Sequence, residues 1–309
     1  MAVSSFDIVK ANAYIGPVNK LFSGQAFYVN NSAVVAPGAL GGSDGNNGLS
    51  PQQPFATLDF AVGSCTASRG DVIYVLPGHA ENYSATSLAI DVAGISIVGI
   101  GQGSLRPSFT ANATTSSIEV SAANVLIDNL LIRNGIDAVV RLLRVTAADV
   151  KIYNCEFRSV TGDAVISILT TAAADRLEVA GCRFTGTATA TATAYIALVG
   201  NDEVKVHHCN FDGQASAGFV RCITTASTDL EVHDCMMRSR GAGEVFLLDT
   251  ITASTAMVGP NIYCRLSANA ANVTEAITGA TFVVFDDVYV VNLANEKAML
   301  INWVVTTDA

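Results

Sequence analysis

The stretch Val150-Lys151-Ile152-Tyr153-Asn154-Cys155-Glu156-Phe157 carries the pattern from which the fold is read. Val150 and Ile152 stand two apart, the period at which side chains share one face of a strand. The parity then slips, because the next apolar residues are Cys155 and Phe157. A strand cannot change faces unless the chain bends, and the slip falls on Asn154. Asn is one of the few residue types that tolerates a left-handed backbone.

The pattern recurs at Val125–Leu130, Leu177–Cys182, Val204–Cys209 and Leu230–Cys235. Aligned on Leu130, Cys155, Cys182, Cys209 and Cys235, the copies lie 25 to 27 residues apart. A looser copy precedes them at Ile95–Ile100, and a frayed one is expected to end at Cys264. The slip residues are Gly99, Asn129, Asn154, Gly181, His208 and Asp234, all types suited to a bend. Beyond the bend, Ile132, Phe157, Phe184, Phe211 and Met237 form one column. A further strand then precedes a turn marked by Asp149, Asp175, Asp202 and Asp229.

A unit this short cannot bury its own core and must stack on its neighbours. The fold predicted is all-β, a right-handed single-stranded parallel β-helix of about 6–8 coils. It carries an N-terminal cap and a C-terminal β element. Leucine-rich repeats have similar periods, but their asparagine-centred consensus and helical half are missing. Lys151, Glu178, Lys205 and Glu231 recur at one outward position, so strand stacking sets opposite charges side by side.

Composition agrees with a packed protein. Of 309 residues, 50% are hydrophobic and 14% charged, too many apolar groups for a disordered chain. The net charge of −10 argues against nucleic-acid binding, which needs a basic stripe. No apolar run reaches the roughly 18–20 residues of a membrane helix, and no secretory signal opens the chain. Synthesis in a reducing cytoplasm is therefore expected, with the cysteines reduced and the Asn-X-Ser/Thr sequons of little weight.

The segment before the coils reads Ser43-Asp44-Gly45-Asn46-Asn47-Gly48, a turn, then a short helix over 57–65 and a buried strand over 72–76 closed by Pro77-Gly78. That order resembles the N-terminal cap and first coil of pectin-lyase-like (pectate-lyase-like) right-handed β-helix proteins. Val75-Leu76-Pro77-Gly78-His79, with Gly101-Gln102-Gly103-Ser104-Leu105-Arg106-Pro107, is similar to the variant encoded by tailed phages. The resemblance spans roughly residues 26–265. It implies a virion structural protein, a capsid decoration or cement protein bound to the major capsid protein on the capsid surface, as a homotrimer. The expected organisation is an N-terminal arm over 1–24, the β-helix with its cap over 25–268, and a C-terminal cap or oligomerisation segment over 269–309. Residues 1–24 read either as an arm docking elsewhere or as a strand against the molecule's own helix.

Enzymes of this fold use clustered acids with a basic residue, or aspartates on neighbouring coils. Here the outward column reads Asp128, Tyr153, Ala180, His207, His233, without a dense acid patch. Asp286-Asp287 falls in the tail, and Asp202-Glu203 sits in a turn. The reading assigns no catalytic, cofactor-binding or metal-binding residue. It keeps a tailspike-like polysaccharide depolymerase (lyase or hydrolase), or a glycan-binding receptor protein, as the runner-up. Aromatics at 7% weigh against a sugar-lined groove. His207 and His233 should stack beside Asp234 and could share zinc or nickel, but with no third ligand column they read as solvent-facing. His208 reads as a bend residue and His79 as structural. Cys155, Cys182, Cys209 and Cys235 read as small core residues, and Arg133, Arg158 and Arg238 as a solvated column.

Overall fold

A computed structural model of the chain describes residues 24–32, 40–84, 88–160, 162–186, 192–240, 246–251, 253–266, 277–278, 281–284, 288–292 and 297–301. The chain winds through about seven turns of a parallel β-helix with three sheets, of ten, eight and ten strands. One ten-stranded sheet, here the first, runs from Ala26–Val29 through Lys151–Tyr153 to Thr281–Val284. The other, the second, runs from Ala80–Tyr83 through Glu156–Arg158 to Lys297–Ile301. The eight-stranded third sheet spans Leu88–Ile90 to Ile277–Thr278.

Register follows the repeat. Ile97, Ile127, Ile152, Val179, Val206, Val232 and Val258 stack as one inward column of the first sheet. Branched side chains suit this pleated, enclosed surface. The second sheet stacks Phe109, Ile132, Phe157, Phe184, Phe211 and Met237. Phe184 lies between Phe157 and Phe211 with ring centroids 5.0 and 4.7 Å away and planes within 9° of parallel. Between the two sheets, Cys155, Cys182, Cys209 and Cys235 are buried and free. The Sγ–H of Cys182 donates to the Ile152 carbonyl at 3.4 Å, and that of Cys209 to Val179 at 3.5 Å. These thiols act as small core residues tied to the preceding coil.

Asn129, Asn154, Gly181, His208 and Asp234 all take positive φ, between 51° and 64°, as the bend requires. Gly99 does not. It ends a strand, and there a Cβ would come 2.2 Å from the Asn129 carbonyl oxygen, so glycine serves close approach rather than a left-handed turn. The frayed copy also shifts. Asn261 is its bend residue, φ 59°, so Ile262 follows the bend and Cys264 pairs with Met237 in the phenylalanine column. Gly259-Pro260 inserts one residue ahead of that bend, and this moved the expected end of the copy. At the second turn, Asp149 and Asp229 are left-handed, but Arg176 and Glu203, each one residue after the predicted aspartate, hold the equivalent place.

The cap is built on the predicted helix, Leu58–Gly63, with Thr57 as its N-cap. Asp44 of the Gly/Asn turn accepts from the backbone N–H groups of Ala56 and Thr57, fixing where the helix starts. Asp71 is fully enclosed and accepts from Gln25 N, Thr66 N and the Arg69 guanidinium at 2.6–2.7 Å. The segments 75–79 and 101–107 meet here, Gly78 N donating to the Leu105 carbonyl at 2.9 Å. His79 is buried. Its Nδ1 accepts from Asn31 N, and its Nε2 lies 3.1 Å from Glu81 Oε2.

Parallel pairing continues beyond residue 268, through 277–278, 281–284 and 288–292. Lys297–Ile301 then folds back antiparallel on Val288–Asn292. Such a reversal covers an edge that would otherwise recruit another chain. Residues 1–23, Asp286-Asp287 and Trp303 lie outside the described residues. No helix of the described residues is long and apolar enough to cross a membrane.

Candidate functional site

The outer face of the first sheet carries two neighbouring columns. One places Lys151, Glu178, Lys205 and Glu231 on consecutive coils, as the sequence predicts. Lys151 Nζ lies 3.5 Å from Glu178 Oε2, and Lys205 Nζ lies 2.7 Å from Glu231 Oε2. The adjoining turn adds Arg176, bidentate to Asp149 at 2.7 and 2.8 Å. Together with Glu203, Asp229 and Met257 these residues line an open cleft of about 580 Å3. Glu203 and Asp229 hold corresponding left-handed positions on successive coils. Among the described residues neither carboxylate forms an ion pair within 4.0 Å, so both remain available as acceptors.

The paired acids are held ionised. The Arg176 guanidinium keeps Asp149 below its ordinary value, and Lys205 does the same for Glu231. For Glu178, burial pushes upward, but the Tyr153 hydroxyl, His207 and Lys151 outweigh it and the net direction is down. Tyr153 is pushed up, first by burial and then by its bond to Glu178.

The second column runs Asp128, Tyr153, Ala180, His207, His233. The imidazoles of His207 and His233 stack with centroids 4.9 Å apart and planes 5° from parallel. His208, which the sequence identifies as a bend residue, is one, but it also joins this cluster. Its Nδ1 lies 2.8 Å from His207 Nδ1, and its Nε2 lies 3.8 Å from Asp234 Oδ2. A left-handed residue does not continue the strand's alternation, so side-chain parity alone does not reveal this placement. The spacing His207-His208…His233-Asp234 was the available signal.

Of the arginine column, Arg133 donates to Thr110 Oγ1 at 2.9 Å and Arg158 is bound to Glu156. Arg238 lies 3.8 Å from Asp212, which Arg240 holds at 2.7 Å. One is a hydrogen bond and the others ion pairs, spread along the second sheet without converging on one point.

No family model matches the chain, and no curated protein matches it. Among solved structures, the chain is similar to a rhamnogalacturonan lyase at 13% identity and TM-score 0.49, covering 81% of this chain and 75% of that one. It is also similar to two structures of GH136 lacto-N-biosidase from Eubacterium ramulus, at TM-scores of 0.46 and 0.49 and identities of 13% and 12%. This chain spans 63% and 59% of their lengths. At these values the activities in those names stay with those proteins, and the fold rests on the strand pairing described above.

Proposed function

We propose that the protein binds an extended polysaccharide along the first sheet, as a tailspike-like depolymerase or glycan receptor does. The observation that carries this reading is the cleft in which Glu203 and Asp229 stand as unpaired acceptors among the donors Lys151, Arg176 and Lys205. A hydroxyl-rich chain presents donors and acceptors repeatedly, and this face presents both at the strand spacing of about 4.8 Å. Binding uses the whole ladder. Cleavage by hydrolysis requires two carboxyl groups with separate acid and base or nucleophile roles, and Glu203 with Asp229 is the pair on which it would rest.

The experiment incubates the full chain with purified bacterial capsular polysaccharide and lipopolysaccharide, reading binding by calorimetry and cleavage by new reducing ends. Wild type is expected to bind, and Glu203→Gln with Asp229→Asn to lose at least tenfold in affinity. Release of oligosaccharide that stops in those variants adds the depolymerase role. No binding to either glycan class, or binding indifferent to both substitutions, overturns the reading.

A structural role in a tailed-phage virion is the second reading, favoured by the phage-type motifs at Val75–His79 and Gly101–Pro107. In that case the coils form a rigid block. Residues 1–24 and 269–309 would hold the trimer to the major capsid protein. Mass spectrometry of purified virions tests it, and absence of the chain from the particle rejects it.

A further inference from the structure

The imidazole cluster has a geometry that neither reading uses. His208, His233 and Asp234 each offer one ligand atom, and these atoms all lie within 4.8 Å of one another. His233 Nδ1 is 2.6 Å from Asp234 Oδ2, and His208 Nε2 is 3.8 Å from that same oxygen. Donors bound tetrahedrally to zinc at about 2.0–2.2 Å stand about 3.3–3.6 Å apart. The contact between His233 and Asp234 must therefore open by about 0.7–1.0 Å, and that between His208 and Asp234 close by about 0.2–0.5 Å. His208 is the exposed member, so its ring is free to close the second contact, while the first opens by rotation of the half-buried His233 and Asp234 side chains.

The groups behind the ligands fix the tautomers. Glu178 Oε1 lies 3.2 Å from His207 Nε2, and an ionised carboxylate can only accept. In the neutral imidazole the N–H of His207 therefore sits on Nε2, which leaves its Nδ1 as a lone pair. That lone pair faces His208 Nδ1 at 2.8 Å, so His208 carries its N–H there and turns the lone pair of Nε2 toward Asp234. In that neutral form two electron-rich atoms face each other, an arrangement resolved by a proton on Nε2 or by a metal ion held between them. On the other imidazole, Glu231 Oε1 lies 3.8 Å from His233 Nε2, placed to receive that N–H once Nδ1 binds an ion. Asn261 Nδ2 donates to Asp234 Oδ1 at 2.7 Å and orients the carboxylate. Glu231 behind His233, and His207 with Glu178 in turn behind His208, form the kind of outer-shell arrangement that orients histidine ligands in metal sites.

We propose that His208 Nε2, His233 Nδ1 and Asp234 Oδ2 bind one divalent transition-metal ion of the zinc class, joining two successive coils. The set of two imidazoles and one carboxylate suits zinc chemically. The site borders an open recess of about 320 Å3 lined by Asn210, Met236, Asn261 and Tyr263, which gives the ion an entry path and leaves room for a water as fourth ligand. The ion clamps residue 208 to residues 233–234, which the backbone holds together through the hydrogen bond from His208 N to His233 O.

The test titrates zinc chloride into the tag-free full chain, stripped with chelator, and follows heat and Tm. One saturable site and a Tm rising with zinc are expected, since a ligand of the native state stabilises it by mass action. His208→Asn and Asp234→Asn keep residues that tolerate the bend, and each is expected to weaken binding at least tenfold with unchanged circular dichroism. His207→Gln, a positioning change, is expected to weaken it by about 10–100-fold. Cobalt(II) in place of zinc should give a spectrum without a thiolate charge-transfer band. No saturable binding, affinity unchanged in His208→Asn and Asp234→Asn, or a thiolate band pointing to a cysteine such as Cys65 would each overturn the proposal.

Discussion

The inside and the outside of the coil stack use one spacing under opposite rules. Inside, likeness is repeated: Phe157, Phe184 and Phe211 lie ring on ring, and four cysteines share the neighbouring column. Outside, unlike charges alternate as Lys151, Glu178, Lys205 and Glu231. Dispersion between enclosed apolar groups grows with matched shape, whereas charges at the same separation attract only when their signs differ. Water screens the outer ladder and not the inner one, so the two columns differ in strength as well as in rule. The inner column therefore sets the fold. The outer one is free to vary, and that is where Glu203, Asp229 and the imidazoles stand.

The largest effect should come from the inside. Phe184→Ala removes a ring packed between two others and is expected to cost about 3–5 kcal/mol, read from the urea midpoint. A loss no greater than that of an outer-ladder change would break the comparison. Asp71 is the exception that sharpens it, a carboxylate enclosed at the cap end of the stack. Asp71→Ala leaves the N–H groups of Gln25 and Thr66 without their acceptor and is expected to cost about 2–3 kcal/mol. Burial pushes this carboxyl upward, yet Arg69 and the two backbone donors hold it below its ordinary value. A depressed folded value means the contribution is complete above about pH 4 and is lost as pH falls further toward the folded value. The stability gap between wild type and Asp71→Asn should therefore narrow below about pH 4. Next comes the hinge between inside and outside. Asn154, at φ 52°, is expected to lose about 1–2 kcal/mol as Ala and less as Gly. Equal losses in the two variants would show that its bond to Asp128, not the backbone, is what matters.

This contrast also explains how much the sequence disclosed. Inner columns repeat a residue type at a fixed interval, so Ile152, Cys155 and Phe157 declare strand, bend and strand without any structure. The bends are legible for the same reason, since few residue types fit them. Where another cause puts glycine in the bend's place, as at Gly99, or where one residue is inserted, as at Gly259-Pro260, the register misleads. Outer positions carry no such repetition. Lys151 to Glu231 could be aligned because they sit beside the inner column. Glu203 and His208 could not, because left-handed residues do not continue the strand's alternation. The His208 side chain reaches Asp234 on the next coil and Glu203 joins the lining of a cleft built from several coils, relations that appear once the turns are stacked.

The smallest effect is the one that tests the outer rule most directly. Lys205 is half exposed and donates to Glu231 at 2.7 Å, and exposed pairs of this kind contribute about 0.2–1 kcal/mol. Lys205→Glu places a third acid beside Glu178 and Glu231 and should lower stability by an amount in that range. The double change Lys205→Glu with Glu231→Lys reverses the pair without altering its separation, so most of the loss should return. Measured with chelator present, this cycle isolates the ladder from the imidazoles that Glu231 also faces. In about 1 M salt, where the screening length falls to roughly 3 Å, the coupling should shrink, whereas the cost of Phe184→Ala should not fall with it. A coupling that survives high salt would mean that the side chains act through packed methylene stems. Likeness of shape would then govern the outer column as well as the inner one.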